Sequence, residues 1–311
     1  MEINRIRTDL AVETRELYRQ AKKIDDEIPG VETRVDDSNS DIVITSVKII
    51  SDEAAEAMGK AKGEYITIDA PKLKQNDESF NEKVGDKLIE VIKNITDLKP
   101  TDTVLVVGLG NEKITADALG PKVVSKIDIT RHLLEYVPQY MSPDTRSVCA
   151  IAPGVLGTTG IETGEIIKGI VEKIKPNLII AIDALASRKI ERIATTIQIA
   201  NTGIVPGSGL GNHRNAITKE TMGVPVIAIG VPTVVEAAVI ANDALELLVE
   251  KLQKEARSNR ELNELIEKDN YEEIKSALMP NDVNLVVTPK DIDELIENIK
   301  EIIVRGINFA M

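Results

Sequence analysis

Apolar and polar positions along the chain alternate in two rhythms, one of period near 3.6 and one of short unbroken apolar runs. The helical rhythm is clearest over Ser79 to Ile95, where Phe80, Val84, Leu88, Val91, Ile92 and Ile95 fall on one face. Leu10 to Ile24 has a mixed helical spacing with many charges, which predicts a surface helix. Two β-like runs lie between them, Ile42 to Ile50 and Tyr65 to Asp69. Lys99-Pro100-Thr101-Asp102 then predicts a turn. From there strands and helices alternate. The runs predict strands at Thr103 to Val107, Val148 to Ala152, Leu178 to Ile182, Thr196 to Ala200 and Pro225 to Gly230. They predict helices at Asp117 to Ile127, Glu162 to Lys173, Thr233 to Gln253 and Pro289 to Val304. Thr288-Pro289 supplies a cap and a first-turn proline for the last helix. The alternation predicts an α/β fold: a mainly parallel sheet covered by helices on both faces, with a smaller N-terminal α+β portion over residues 10–100. The charged stretch Lys254 to Asn270 reads as a solvated helix or linker.

Two stretches share one grammar. Val104 to Pro121 reads VLVVGLGNEKITADALGP, an apolar run that breaks at glycines and meets Asp117. Asn177 to Arg188 reads NLIIAIDALASR, an apolar run that meets Asp183. The acids lie 183 − 117 = 66 residues apart, each placed just past the carboxyl end of a predicted strand. In open parallel sheets ligands and chemistry collect at that edge.

Composition narrows the function. The 311 residues carry 38 basic and 51 acidic side chains, a net charge of −13, so nucleic-acid phosphate is excluded as a direct ligand. An acidic chain can still act on a protein that binds nucleic acid. A single cysteine rules out an internal disulfide and fits a reducing compartment. The first sixteen residues lack a signal peptide's apolar core, and Gly223 to Ala241 is interrupted by Pro225, Pro232 and Glu236. A soluble protein with no membrane partner is the expectation.

Several motifs fail on inspection. Gly108-Leu109-Gly110 lacks the third glycine of a dinucleotide fingerprint, since position 113 is Lys113, and reads as a strand-to-loop turn. Gly207-Ser208-Gly209-Leu210-Gly211 follows Pro206, where a nucleophile elbow needs glycine. His132, His213 and Cys149 show no metal-ligand spacing, so no metal or other cofactor is expected. Cys149 with His132 is a formal cysteine-hydrolase alternative, set against a reading of Cys149 as core. Taken singly, each aspartate could cap the helix after it. Held at one sheet edge, the pair could share a proton, one acid activating water and the other protonating a scissile amide.

The chain resembles the germination protease family of spore-forming bacteria. RTDLAVE (Arg7 to Glu13), GLGNEKITADALGP (Gly108 to Pro121), TRHLLE (Thr130 to Glu135), APGVLGTTGIET (Ala152 to Thr163), AIDALASR (Ala181 to Arg188), PGSGLGN (Pro206 to Asn212), PVIAIGVPTVV (Pro225 to Val235) and VTPKDID (Val287 to Asp293) carry the likeness in collinear order. The resemblance implies an endopeptidase, similar in fold to hydrogenase-maturation proteases, that degrades the small acid-soluble proteins coating spore DNA. It implies Asp117 and Asp183 as the catalytic pair of an atypical aspartic protease, and a homotetramer in the spore cytoplasm. It also implies a zymogen that removes residues 1–9 by cutting Asp9–Leu10, leaving a single protease domain over 10–311. The acid, apolar residue, Ala and later Glu of that site mimic the family's Glu-apolar-Ala-x-Glu substrate sites. A pocket for these acids needs cations, for which Arg131, Arg188 and Arg192 are the candidates. Protonation of the pair and of Asp9 would make processing faster as pH falls. The chain departs from many members in having Val205 where they have His before Pro-Gly-Ser-Gly, and in a short region before VTPK. The alternatives are a maturation-type protease that cuts one folded partner with a divalent metal, and a catalytically silent binding protein.

Overall fold

The computed structural model describes residues 8–205, 216–255 and 285–311. Residues 1–7 of the expected propeptide, the Pro206 to Asn212 loop, His213 and residues 256–270 of the charged stretch lie outside the described residues. One nine-stranded sheet organises the rest, in the order β1-β2-β3-β7-β8-β6-β4-β5 with β9 paired to β8. The strands are β1 (Val31–Asn39), β2 (Ile42–Ile49), β3 (Gly63–Asp69), β4 (Thr103–Gly108), β5 (Ser147–Ile151), β6 (Leu178–Ser187), β7 (Thr196–Ala200), β8 (Val226–Glu236) and β9 (Val286–Val287). Only β5-β4-β6-β8 is parallel, and the remaining pairings are antiparallel. The sheet is therefore mixed, where a mainly parallel one was expected. The reason lies in the N-terminal hairpins, which do not form a layer of their own. They extend the same sheet through β3 against β7.

The helices are α1 (Ala11–Lys22), α2 (Asp52–Met58), α3 (Glu78–Ile95), α4 (Leu119–Val124), α5 (Arg131–Tyr136), α6 (Leu156–Thr159), α7 (Thr163–Ile174), α8 (Lys219–Met222), α9 (Ala237–Glu255) and α10 (Ile292–Ala310). They cover both faces. Alternate residues of the central strands go to opposite sides: Val104, Val106, Ile180 and Ile182 join the cluster under α3, α4 and α10, while Leu105, Val107, Ile179 and Ala181 pack with α7. Strands buried on both faces read as unbroken apolar runs, which is why β4 and β6 are so visible in sequence. α1 and α2 cover the β2, β3 and β7 end on the α7 side of the sheet.

Three boundaries differ from expectation in ways that matter for the site. β6 runs on to Ser187, so Asp183 lies within the strand and faces Gly230 of β8. β8 likewise continues through Thr233 to Glu236, and α9 starts only at Ala237. Ala184, Leu185 and Ala186 are good helix formers, yet pairing with β8 overrides their local preference. The expected Thr288-Pro289 cap does not form: α10 begins at Ile292, and the Thr288 hydroxyl donates to the Thr233 carbonyl at 2.8 Å, fixing β8 instead.

Candidate active site

The carboxyl ends of β4 and β6 are held together by close backbone contact. Leu109 N–H donates to Ile182 O at 2.8 Å, and a Cβ on Gly120 would stand 2.3 Å from Leu109 O and 2.7 Å from Ile182 O. Gly108-Leu109-Gly110 is thus the close-packing turn that its incomplete motif suggested. Gly110 has φ +111°, and a Cβ there would lie 2.0 Å from the Asp117 carbonyl oxygen. Asp117 closes a 3-10 turn, Thr115–Asp117, and its Oδ2 accepts the Asn111 N–H at 2.7 Å. The Thr233 hydroxyl ties the same turn to β8 through Ala116 O at 2.6 Å.

Asp183 is buried, and its Oδ1 accepts the Ala184 N–H at 2.9 Å. Asp183 lies within β6, and the N-cap position of α4 is Ala118 and not Asp117. Asn111 is two residues beyond Leu109, and Leu109 bonds the residue before Asp183. The fold therefore brings both aspartates to one sheet edge.

Asp183, Gly230 and Gln198 lie in one row across β6, β8 and β7, directly opposite one another. Residues so paired share a face, so the Asp183 and Gln198 side chains lie on the same face on either side of Gly230, over which the Leu185 side chain packs. A cavity of about 210 Å³ opens on this face, lined in part by Asp9, Lys60, Leu185, Gln198, Gly203 and Gly230.

The segment Thr8 to Glu13 crosses this face. Asp9 N–H donates to Ala186 O at 2.9 Å, and the Asp9 Oδ2 accepts Ala186 N–H at 2.8 Å. Leu10 is fully buried against Val12, Leu185 and Ile204. Gln198 Oε1 accepts the Ala11 N–H at 2.7 Å. The Glu13 carboxylate, also buried, accepts N–H groups of Arg188 at 2.7 Å and Lys189 at 3.1 Å, with the Arg192 guanidinium 3.5 Å away and the Thr8 hydroxyl bonded to it. Burial pushes the Glu13 carboxyl above its usual value, against the pull of these donors.

Of the arginines, the fold brings Arg188 and Arg192 to this segment, Arg188 through its backbone while its guanidinium pairs with Asp243 at 3.0 Å. Arg131 stands apart, on α5 beside β5, with Glu135 at 3.7 Å. Sequence reasoning missed Lys60 and Gln198. Neither lies in a recognisable motif, and a β-strand glutamine carries no signal of its own. Among the described residues no group of three or more His, Cys, Asp and Glu side chains could hold a metal ion. Burial raises the pKa of the Cys149 thiol, and its Sγ donates to the Val104 carbonyl at 3.6 Å, so it is not set up as a thiolate nucleophile.

An α/β sheet that collects two carboxylates and a bound acidic segment at its parallel edge defines a site for peptide chemistry. Comparison with known proteins names the family. A family profile described as germination protease matches residues 11–266. A germination protease of Caldanaerobacter subterraneus is 53% identical over 310 residues, covering 98% of this chain and 94% of that one. The germination protease of Bacillus subtilis is 39% identical over 345 residues, covering 98% and 93%. A NiFe hydrogenase maturation protease from Thermococcus kodakarensis is similar at 22% identity and a TM-score of 0.29, over 46% of this chain and 80% of that one. The chain belongs to the germination protease family, and it is a peptidase. Among the described residues no helix is long and apolar enough to cross a membrane.

Proposed function

We propose that the protein is a self-processing endopeptidase in which Asp117 and Asp183 act as an acid/base pair, and that its substrates are small acid-soluble spore proteins. The observation that carries the reading is the Thr8 to Glu13 segment, seated along the strand that bears Asp183. Its Asp9-Leu10-Ala11-Val12-Glu13 sequence has the acid-apolar-Ala-x-Glu pattern expected of substrate sites. One aspartate, ionised, takes a proton from water, whose oxygen adds to the Asp9 carbonyl carbon. The other, protonated, gives its proton to the Leu10 nitrogen as the C–N bond breaks. The Ala186 N–H reads the acid before the cut, and Arg188, Lys189 and Arg192 read the glutamate after it. Arg131 has no part in this arrangement. The site of action is the spore cytoplasm, and a homotetramer is the expected assembly, which light scattering would test.

Intact mass followed over time at mildly acidic pH tests the reading. Wild type sheds Met1 to Asp9, whereas Asp117→Asn and Asp183→Asn fold with unchanged circular dichroism and process at least about a hundredfold more slowly. Normal processing by both variants would remove the pair from the mechanism.

A further inference from the structure

The Asp9 carbonyl oxygen is the atom that becomes an oxyanion if water adds at Asp9–Leu10, and it is already held by two side-chain donors. Lys60 Nζ lies 2.9 Å from it and Gln198 Nε2 lies 3.1 Å from it. These distances fall in the range over which preorganised donors stabilise a developing negative charge. We propose that Lys60 and Gln198 are catalytic residues that polarise the scissile carbonyl and hold the oxyanion formed on it. The assignment rests on the self-processing reading above.

Three features support it beyond the distances. First, both donors are held in place by the fold. Gln198 is a buried residue of β7, and its Oε1 is fixed by the Ala11 N–H at 2.7 Å, which turns its NH₂ toward Asp9 O. Lys60 follows Gly59, the left-handed cap of α2, so the turn after that short helix aims its side chain over the cavity. Second, the site is shielded. Lys60 is half-buried as a residue, and it is the ammonium end that is enclosed: burial pushes Lys60 down, with Asp9 and Glu13 pulling the other way. An N–H donor shielded from water acts more strongly on an oxygen 2.9 Å away than one in bulk solvent. Third, the row Gln198-Gly230-Asp183 sets donor and acid on one face, their backbones roughly 10 Å apart across two strand spacings. Between them the Leu185 side chain packs over Gly230, where an added Cβ would stand 2.4 Å from it.

The step balances without any further reactant. Water's oxygen bonds the Asp9 carbonyl carbon and its proton goes to the ionised aspartate. The carbonyl π pair moves to the oxygen held by Lys60 and Gln198. Collapse of that oxyanion re-forms C=O and expels the Leu10 nitrogen, which takes the proton of the other aspartate. Each donates an N–H hydrogen bond and neither need give up a proton, so Gln198 and Lys60 can do the same work. In an added substrate the same two donors would receive the carbonyl of the acidic residue before the cut.

The experiment compares full-length wild type with Lys60→Met, Lys60→Gln and Gln198→Met by intact mass over time. Hydrogen exchange at the Ala11 amide is followed in parallel as a report on segment docking, and thermal melting on folding. The expected result is loss of Met1 to Asp9 by wild type, and processing about a hundredfold or more slower in Lys60→Met and Gln198→Met. Lys60→Gln, which keeps a neutral donor, processes faster than Lys60→Met. Lys60→Met retains Ala11 protection and a melting temperature near that of wild type. Processing by folded Lys60→Met and Gln198→Met within about threefold of wild type would overturn the assignment, as would loss of Ala11 protection in Lys60→Met in step with its lost rate, which would make Lys60 a mere tether. If Lys60→Met does not fold, the rate and Ala11 protection of Lys60→Gln and the rate of Gln198→Met decide between the same outcomes. Failure of wild type to shed Met1 to Asp9 would instead remove the self-processing reading, and the assignment with it.

Discussion

Glu13 is a carboxylate placed where water does not reach, and its neighbours only partly compensate. Burial is the largest influence and raises its pKa from 4.5, while Thr8, the Arg188 N–H, Arg192 and the Lys189 N–H oppose the rise. A carboxyl whose folded-state pKa lies above its unfolded value binds more protons folded than unfolded between the two values. Its contribution to stability is therefore full below about pH 4.5 and falls as pH rises through the folded value. Urea denaturation from pH 4.5 to 7 should show wild type losing stability relative to Glu13→Gln, whose profile lacks this term. Parallel profiles would mean that the donors fully offset the burial of Glu13. At this scale the sequence was informative about acids and poor about their partners. Asp183 stands out because it ends an apolar run, and Asp117 because it follows one across a glycine turn. Lys60 does not, because only the turn after α2 brings it over Asp9.

Elements are positioned here by what glycine leaves out. Gly120 lies in the first turn of α4 against the β4 turn, and an added methyl would stand 2.3 Å from Leu109 O, 2.5 Å from Leu109 N and 2.7 Å from Ile182 O. All three are backbone atoms, so nothing can rotate away. Gly120→Ala should lower the unfolding free energy by on the order of 3 kcal/mol in urea and slow processing by parting the β4 and β6 ends. Unchanged stability would show that α4 can shift freely. The same scale explains the sequence reading's boundary errors. Each aspartate was placed just past the carboxyl end of a strand, but Asp183 lies within one. β6 continues because β8 lies beside it, and that partner comes from more than forty residues downstream. β1 gave no apolar signal because it is a sheet edge: VETRVDDSN is mostly exposed and charged, a composition that also discourages edge-to-edge pairing.

The whole molecule is tied across its sheet by its own N-terminal segment, which meets β6 at Ala186, β7 at Gln198 and the turn after α2 at Lys60. Cutting Asp9–Leu10 would change this abruptly. Leu10 N–H now donates to the Thr8 hydroxyl at 3.2 Å in a fully buried position. The new α-ammonium there would lose that partner, carry charge into an apolar pocket, and sit at the positive end of α1. Expulsion of the new terminus is the expected result, and it would clear the site for substrates. Cleavage of an added peptide bearing Glu, an apolar residue, Ala, any residue and Glu should therefore begin after a lag that matches the loss of Met1 to Asp9. A sample incubated until that loss is complete should show none. Equal initial rates in both samples would show that the segment does not block the site.

The sequence by itself determined the alternation of elements, the apolar strands at the centre, the two aspartates that follow their runs, and the family. These are local or collinear signals, carried by residues whose neighbours in the chain give them away. Only the tertiary structure decided that the sheet is mixed, that Asp183 lies within a strand, and that Lys60 and Gln198 converge on the Asp9 carbonyl. Each of those depends on pairing between segments far apart in sequence, where register and burial, and not local preference, set the geometry.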